Sequence, residues 1–237
     1  MNAGMEYRAL LATDIVRSSG RGTVPLLRMR AALAEAVRES VRYSGIEWSE
    51  CHRADLGDGI RVIAPPGVAK FALIHPLLAD LARRLREHNR AADPVTRIRL
   101  RVAVHAGDIH LAGAPAGAPL EVLARLLDAE PMRRALASAP ERVCLAALVS
   151  EHFYEETVPQ GYPGIDPQAF RRVAFTEKNY TAHAWLHLPQ SPIVPAVDDP
   201  AADPQPAADR PTQINTAHDR GTVQAVQNGN LTIHTDR

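Results

Sequence analysis

Asp55-Leu56-Gly57-Asp58-Gly59-Ile60-Arg61-Val62-Ile63 places a carboxylate between two glycines, directly ahead of an extended apolar run, Ile60 to Ala64. Glycine on both sides of an aspartate suits a tight hairpin that lets backbone and ligand come close. The Asp58 carboxylate would then sit at the hairpin tip, within reach of a metal ion or a phosphate. The same letters also spell an ordinary Asp-Gly turn, and taken alone they favour it. The balance moves because a second carboxylate, Asp14, ends an apolar strand near the N-terminus. The rest of the chain reads as the scaffold that brings these two together.

The 237 residues suffice for one large domain or two small ones, and 46% apolar content allows a sizeable core. Lys+Arg and Asp+Glu balance at 27 each. That argues against a mainly electrostatic binder of nucleic acid or membrane, while leaving room for a local basic patch. The two cysteines, Cys51 and Cys144, have neither disulfide-framework nor zinc spacing. No apolar run approaches the ~18 residues of a membrane span. Met1 to Arg8 lacks the basic segment and apolar core of a signal peptide, so a cytoplasmic location is expected.

Tyr7 to Ile15 reads as a central strand, and Val16 to Thr23 as a loop. Leu26, Met29, Leu33, Val37 and Val41 form one helical stripe over Pro25 to Tyr43, with Gly45 as its stop. Ile46 to Ala54 and Ile60 to Ala64 flank the glycine turn as strands. Phe71, Ile74, Leu78, Leu81 and Leu85 mark a second helix that kinks or starts at Pro76. Arg97 to His105 alternates apolar and polar residues, which predicts a strand with one buried face, ended by Gly107-Asp108. A third helix begins near Ala118, and Pro131 interrupts it. Val143 to Val149 is a strand, and Ser150 caps a short helix through Tyr154. Phe170 to Phe175 and Thr181 to Leu188 form a last hairpin around Glu177-Lys178-Asn179. This order predicts an α+β fold, a mostly antiparallel sheet with helices covering one face.

Residues 1–189 form the predicted domain. Residues 190–211, rich in Pro, Ala and Asp, read as a disordered linker, and 212–237 as a short segment with some β character.

Two carboxylates on neighbouring strands can hold divalent cations, and hard oxygen ligands suit Mg²⁺ or Mn²⁺ with substrate phosphates completing the shell. Two such ions can clamp the attacking and leaving oxygens of a phosphoryl displacement. A positive side chain must then neutralise charge on the transferring phosphate.

At this point four stretches carry a resemblance. Leu11-Ala12-Thr13-Asp14-Ile15-Val16-Arg17-Ser18-Ser19 resembles the first metal-binding strand of the class III nucleotidyl cyclase domain, and Leu56-Gly57-Asp58 its second metal carboxylate. Arg99 to Gly107 is similar to its "lRvGIHxG" strand. Gly117, Glu121 and Arg125 fall in the register of its "GxxxNxxxR" helix. The resemblance spans Tyr7 to Pro189 and implies a ferredoxin-like cyclase fold. It further implies two Mg²⁺ or Mn²⁺ ions on Asp14 and Asp58, Arg125 on the α-phosphate, and Lys178 as a phosphate contact. Ile15, Gly57 and Glu121 would lie against the nucleotide. The family works as a head-to-tail homodimer with sites at the interface, so Arg125 would come from the partner chain.

The departures are specific. The family's transition-state asparagine falls at Glu121, and its two base-reading positions fall at Ala54 and Ala114. A pyrimidine substrate, as in bacterial cyclases of phage-defence signalling, is therefore left open. The expected activity is conversion of a nucleoside triphosphate to a 3′,5′-cyclic monophosphate and pyrophosphate. The alternative is a degenerate homologue that binds a nucleotide or a protein without turnover. Asn215 to His234 resembles a short tail of some bacterial signalling and conflict proteins, which suggests a protein partner. Glu121 reads as an i,i+4 partner of Arg125. His105 and His110 read as satisfied or exposed histidines rather than metal ligands, and Trp185 as cover for a sheet edge.

Overall fold

The structure is a computed structural model of the chain. It describes residues 4–177, 180–189 and 191. The expected tail, the expected linker apart from Ser191, and Lys178 lie outside the described residues.

β1 (Met5–Ile15), β2 (His52–Asp55), β3 (Ile60–Ile63), β4 (Leu100–His110), β5 (Leu145–Ser150), β6 (Phe170–Glu177) and β7 (Tyr180–His187) form one sheet in the order β2-β3-β1-β4-β5-β7-β6. The β4–β5 pair is parallel, and the other pairs are antiparallel. Around the sheet lie α1 (Thr23–Tyr43), α2 (Ala79–Ala91), α3 (Ala118–Asp128), α4 (Glu130–Ser138) and α5 (Glu151–Thr157). The α+β, mostly antiparallel architecture read from the sequence is the one observed.

The helices cover both faces rather than one. Leu11, Val102 and Val104 pack with Leu33 of α1, Leu81 of α2 and Phe153 of α5. Leu10, Ala12 and Ala103 pack on the other face with Leu123 and Leu126 of α3 and Met132 of α4. The physical reason lies in β1, whose nearly continuous apolar run leaves no polar face for water.

Several boundaries move, each for a local cause. β4 begins at Leu100, and Arg97 and Arg99 precede it. It also runs through Gly107-Asp108, because Arg8 and Tyr7 of β1 pair with those two residues. Gly107 serves close packing instead of a break: a Cβ there would lie 2.6 Å from Cγ of Pro119 at the start of α3. Ile46 to Cys51 is not strand. Trp48–Glu50 is a 3-10 turn, and the Glu47 carboxylate caps it by accepting the Ser49 N–H. Ahead of α2, His75 is extended (φ −136°, ψ 125°) and Pro76 follows, so the regular helix starts after the proline. The expected third helix is two, bent at Ala129, with Pro131 in the first turn of α4, where a missing N–H is tolerated. The capping by Ser150 is as expected, through the Phe153 N–H at 3.2 Å, and α5 extends to Thr157.

Trp185, read as cover for a sheet edge, lies inside the sheet, and two arginines of α2 serve a buried partner. Arg83 and Arg84 face a buried carboxylate, Asp80, which also accepts from Ser40 Oγ of α1 at 3.0 Å. Burial alone would raise the Asp80 carboxyl, but the hydrogen bonds from Arg84, Arg83 and Ser40 outweigh it and hold it low. Trp185 lies on β7, between β5 and β6 and away from any edge. Its ring stacks on Tyr154 of α5 at 3.6 Å.

The β2–β3 hairpin is fastened to the end of β1. The Ile15 N–H donates to the Asp58 carbonyl at 2.8 Å. Thr13 Oγ1 accepts the Ile60 N–H at 2.9 Å. Gly59 lies so close to β1 that a Cβ would fall 1.7 Å from the Thr13 carbonyl oxygen. Gly57, by contrast, has φ 92° and open space around it. Gly59→Ala is therefore expected to destabilise the domain by about 3 kcal/mol or more, and Gly57→Ala by about 1–2 kcal/mol. Urea melts of both variants check the order, and equal costs would contradict it.

Candidate active site

Asp14 is the penultimate residue of β1, and Asp58 sits at the tip of the hairpin bonded to that strand end. The sheet thus brings together the two carboxylates that the sequence singled out. Burial raises the Asp14 carboxyl above its ordinary value. Hydrogen bonds and charge from Arg101 pull it back only in part, and the negative charges of Asp58 and Asp128 add to the rise. Asp58 accepts Ser18 Oγ at 2.6 Å. Arg17, next to Ser18, has φ 54°, so the β1–α1 loop turns sharply beside the two carboxylates.

Arg101 is the functional candidate that sequence reasoning passed over. Its Nε donates to Asp14 at 2.9 Å, its Nη2 donates to the same oxygen, and both side chains are mostly buried. The signal was present as three arginines, Arg97, Arg99 and Arg101, at alternate positions of a central stretch, and it was read as a polar strand face. Arg99 instead turns to the C-terminal end of α4, where its guanidinium donates to the carbonyls of Leu136 and Ala139.

The other expected residues are placed as follows. The Ile15 side chain is core, so only its backbone faces the site. The Gly57 N–H donates to Asp55 at 2.8 Å. Arg125 on α3 lies over the Tyr180 ring at 4.6 Å and pairs loosely with Glu121 at 3.4 Å. Among the described residues no contact joins Arg125 to Asp14 or Asp58. Ala54 lines a cavity of about 250 Å³ with Trp48, Arg53 and Asp55. Arg53 stacks on Trp48, and Asp55 is paired with Arg30 at 2.6 Å. Ala114 is exposed in the loop before α3.

The donor set fits a hard divalent cation shared with a ligand: two carboxylates, one raised by burial and further by its acidic neighbours, beside a backbone strand end. No group of three or more His, Cys, Asp or Glu that could hold a metal occurs among the described residues, so phosphate oxygens or water would have to complete the shell. His105 lies away from this set, buried and bonded to Ser150 Oγ at 2.7 Å. No helix among the described residues is long and apolar enough to cross a membrane.

Among solved structures the chain is similar to an adenylate/guanylate cyclase/hydrolase from Silicibacter pomeroyi, at 20% identity and a TM-score of 0.57, covering 79% of this chain and 99% of that one. It is also similar to the guanylyl cyclase Cya2, at 13% identity and a TM-score of 0.52, covering 78% and 92%. No protein-family model and no curated protein matches. At the level of the fold the resemblance read from the four motifs holds: the chain has the fold of these cyclase structures.

His105 supplies a pH dependence that is separate from the carboxylates. Burial, with His152 beside it, lowers its pKa to about 4, against a partial pull from Glu156. The folded value lies below the unfolded one, so the neutral ring stabilises above pH ~6.5, and that stability drains away as pH falls toward 4. The expected loss is about 3 kcal/mol. His105→Asn should flatten the melting temperature over that pH window, and an unchanged profile would contradict it.

Proposed function

We propose that the domain is a nucleotidyl cyclase, which converts a nucleoside triphosphate to its 3′,5′-cyclic monophosphate and pyrophosphate. The observation that carries this is the fastening of the Asp58 hairpin to the strand end that bears Asp14, within a cyclase fold. Asp14 and Asp58 would hold two Mg²⁺ or Mn²⁺ ions. Bound there, the ions would supply Lewis acidity toward the ribose 3′-hydroxyl and the phosphates.

This chain's own residues would do the remaining work. Ser18 orients the Asp58 carboxylate. Arg101, bonded to Asp14 in the free protein, stands beside any phosphate that docks at that carboxylate, and it can exchange one anionic partner for the other. Arg125, held by Tyr180 and Glu121, would serve the α-phosphate of a site on a second copy, in a head-to-tail homodimer. Lys178 is proposed as a further phosphate contact. Alanine at positions 54 and 114 offers no hydrogen bond to a purine edge, so ATP is not expected to be strongly preferred, and a pyrimidine triphosphate in a phage-defence setting fits this reading. A cytoplasmic protein with a partner at its tail, and with neither nucleic acid nor membrane as ligand, completes it.

One observation favours the rival reading, a degenerate homologue that binds a nucleotide or a protein. Arg101 already occupies Asp14, as an internal cation in the place where a metal would bind.

Incubation of the full chain with ATP, GTP, CTP and UTP, each with Mn²⁺, and separation of the products by mass decides between the two. A cyclic product is expected, with ATP favoured by less than about 100-fold. No turnover of any triphosphate by an intact dimer would favour the degenerate homologue. Asp58→Asn and Arg125→Ala should each lower kcat by about 100-fold or more. Mixed in equal amounts, the two inactive variants should recover about a quarter of wild-type activity, because half of the dimers are mixed and each mixed dimer keeps one intact site. Absence of recovery would count against shared interface sites.

A further inference from the structure

Behind the β1–α1 loop the described residues enclose an open cavity of about 930 Å³. Nine arginines line it, against one carboxylate, Glu141. In a chain whose charges balance at 27 of each sign, such a concentration needs a reason.

Four of the nine are committed to the protein. Arg21 donates to the carbonyls of Arg17, Val16 and Arg97. Arg99 caps α4, Arg101 holds Asp14, and Arg133 pairs with Glu130 and Glu177. The remaining five are Arg17, Arg86, Arg90, Arg97 and Arg142. Among the described residues, none of these five guanidinium groups is in an ion pair or a side-chain hydrogen bond. They come from the β1–α1 loop, α2, the segment before β4 and the segment before β5, so the fold converges them from four directions. Burial, with the nearby charge of Arg17 adding to it, holds Arg99 below the ordinary guanidinium value, and Cys144 and Glu141 offset this only in part. The five guanidinium groups therefore have donors to spare for an anion.

We infer that this cavity is a binding site for a small polyphosphate anion: a nucleoside polyphosphate or an inorganic oligophosphate chain. Planar guanidinium forks match phosphate oxygens two at a time. The volume is that of a small-molecule site, and the concave shape and balanced net charge argue against a nucleic-acid duplex. Neither Asp14 nor Asp58 lines the cavity, but Arg101 does. An anion that engages Arg101 from the cavity side weakens its hold on Asp14 and frees that carboxylate for a cation. By reciprocity, a cation on Asp14 strengthens the anion site. The site stands without the cyclase reading, since metal-free binding needs neither carboxylate.

The test is calorimetric titration of the full chain with tripolyphosphate in EDTA at about 0.15 M salt. Saturable one-to-one binding is expected. The double variant Arg90→Gln/Arg142→Gln should weaken it about tenfold or more, whereas Arg38→Gln/Arg42→Gln, an equal charge loss on the exposed face of α1, should change it less than about twofold. Asp58→Asn should leave it unchanged. Each nucleoside triphosphate titrated in the same way separates the two sources: tighter binding than tripolyphosphate assigns a nucleotide, and equal binding assigns the phosphate chain alone. If the Arg90→Gln/Arg142→Gln variant does not fold, the wild-type melting temperature decides, and tripolyphosphate should raise it more than sodium chloride of equal ionic strength. The proposal is overturned by absent binding at millimolar tripolyphosphate, by equal losses in the two double variants, by loss of binding in Asp58→Asn, or by a single-stranded oligonucleotide that displaces tripolyphosphate.

Discussion

The hydrogen bond from the Ile15 N–H to the Asp58 carbonyl is the constraint on which the site depends. It joins a hairpin tip to a strand end, two pieces of backbone separated by more than forty residues of chain. It forms only because Gly59 has no side chain to meet the Thr13 carbonyl. The carboxylates of Asp14 and Asp58 are thus placed by backbone contacts, and their own charges oppose the arrangement. Burial is the chief cause of the rise in the Asp14 pKa, and repulsion from Asp58 and Asp128 adds to it. The rest of the sheet, with apolar helices on both faces, supplies the stability that holds the pair in place.

Arg101 gives the opposition a temporary solution. An arginine cannot be deprotonated under ordinary conditions, so Asp14 always has a cationic neighbour. A divalent ion must then compete with a guanidinium for the same oxygens, and affinity for metal and affinity for phosphate become properties of one residue. Arg125 is held in a similar way, by an aromatic face and a loosely paired carboxylate. Among the described residues, the two arginine candidates, Arg101 and Arg125, are both parked on internal partners.

Much of the fold was legible because it rests on patterns that local sequence carries. The apolar run of β1, the stripe of α1, the Ser150 cap and the Gly-Asp-Gly turn each announce themselves within a few residues. What was missed depends on partners distant in sequence. Nothing local says that Met5 to Tyr7 will extend β4 past Gly107, or that Glu47 will turn Trp48 out of a strand. The number of covered faces is likewise a tertiary fact. Asp14 and Asp58, which the fold brings together, were visible through motif spacing; Arg125 was picked out in the same way and lies against Tyr180 and Glu121 instead. Arg101 was not, because an arginine that alternates with apolar residues looks the same whether it faces water or a buried aspartate. The arginine cavity was hidden for the same reason, since its nine members are scattered from residue 17 to residue 142.

The two margins of the sheet bear on how copies of this chain can meet. β2, at one margin, has four residues and includes His52, Arg53 and Asp55; β6, at the other, carries Arg171 and Arg172. A short or charged outer strand is a poor template for an incoming one, because pairing would bury ions beside the new backbone bonds. Growth of the sheet from chain to chain is therefore discouraged at both ends. Among the described strands, assembly through faces and loops is favoured over strand-to-strand growth of the sheet.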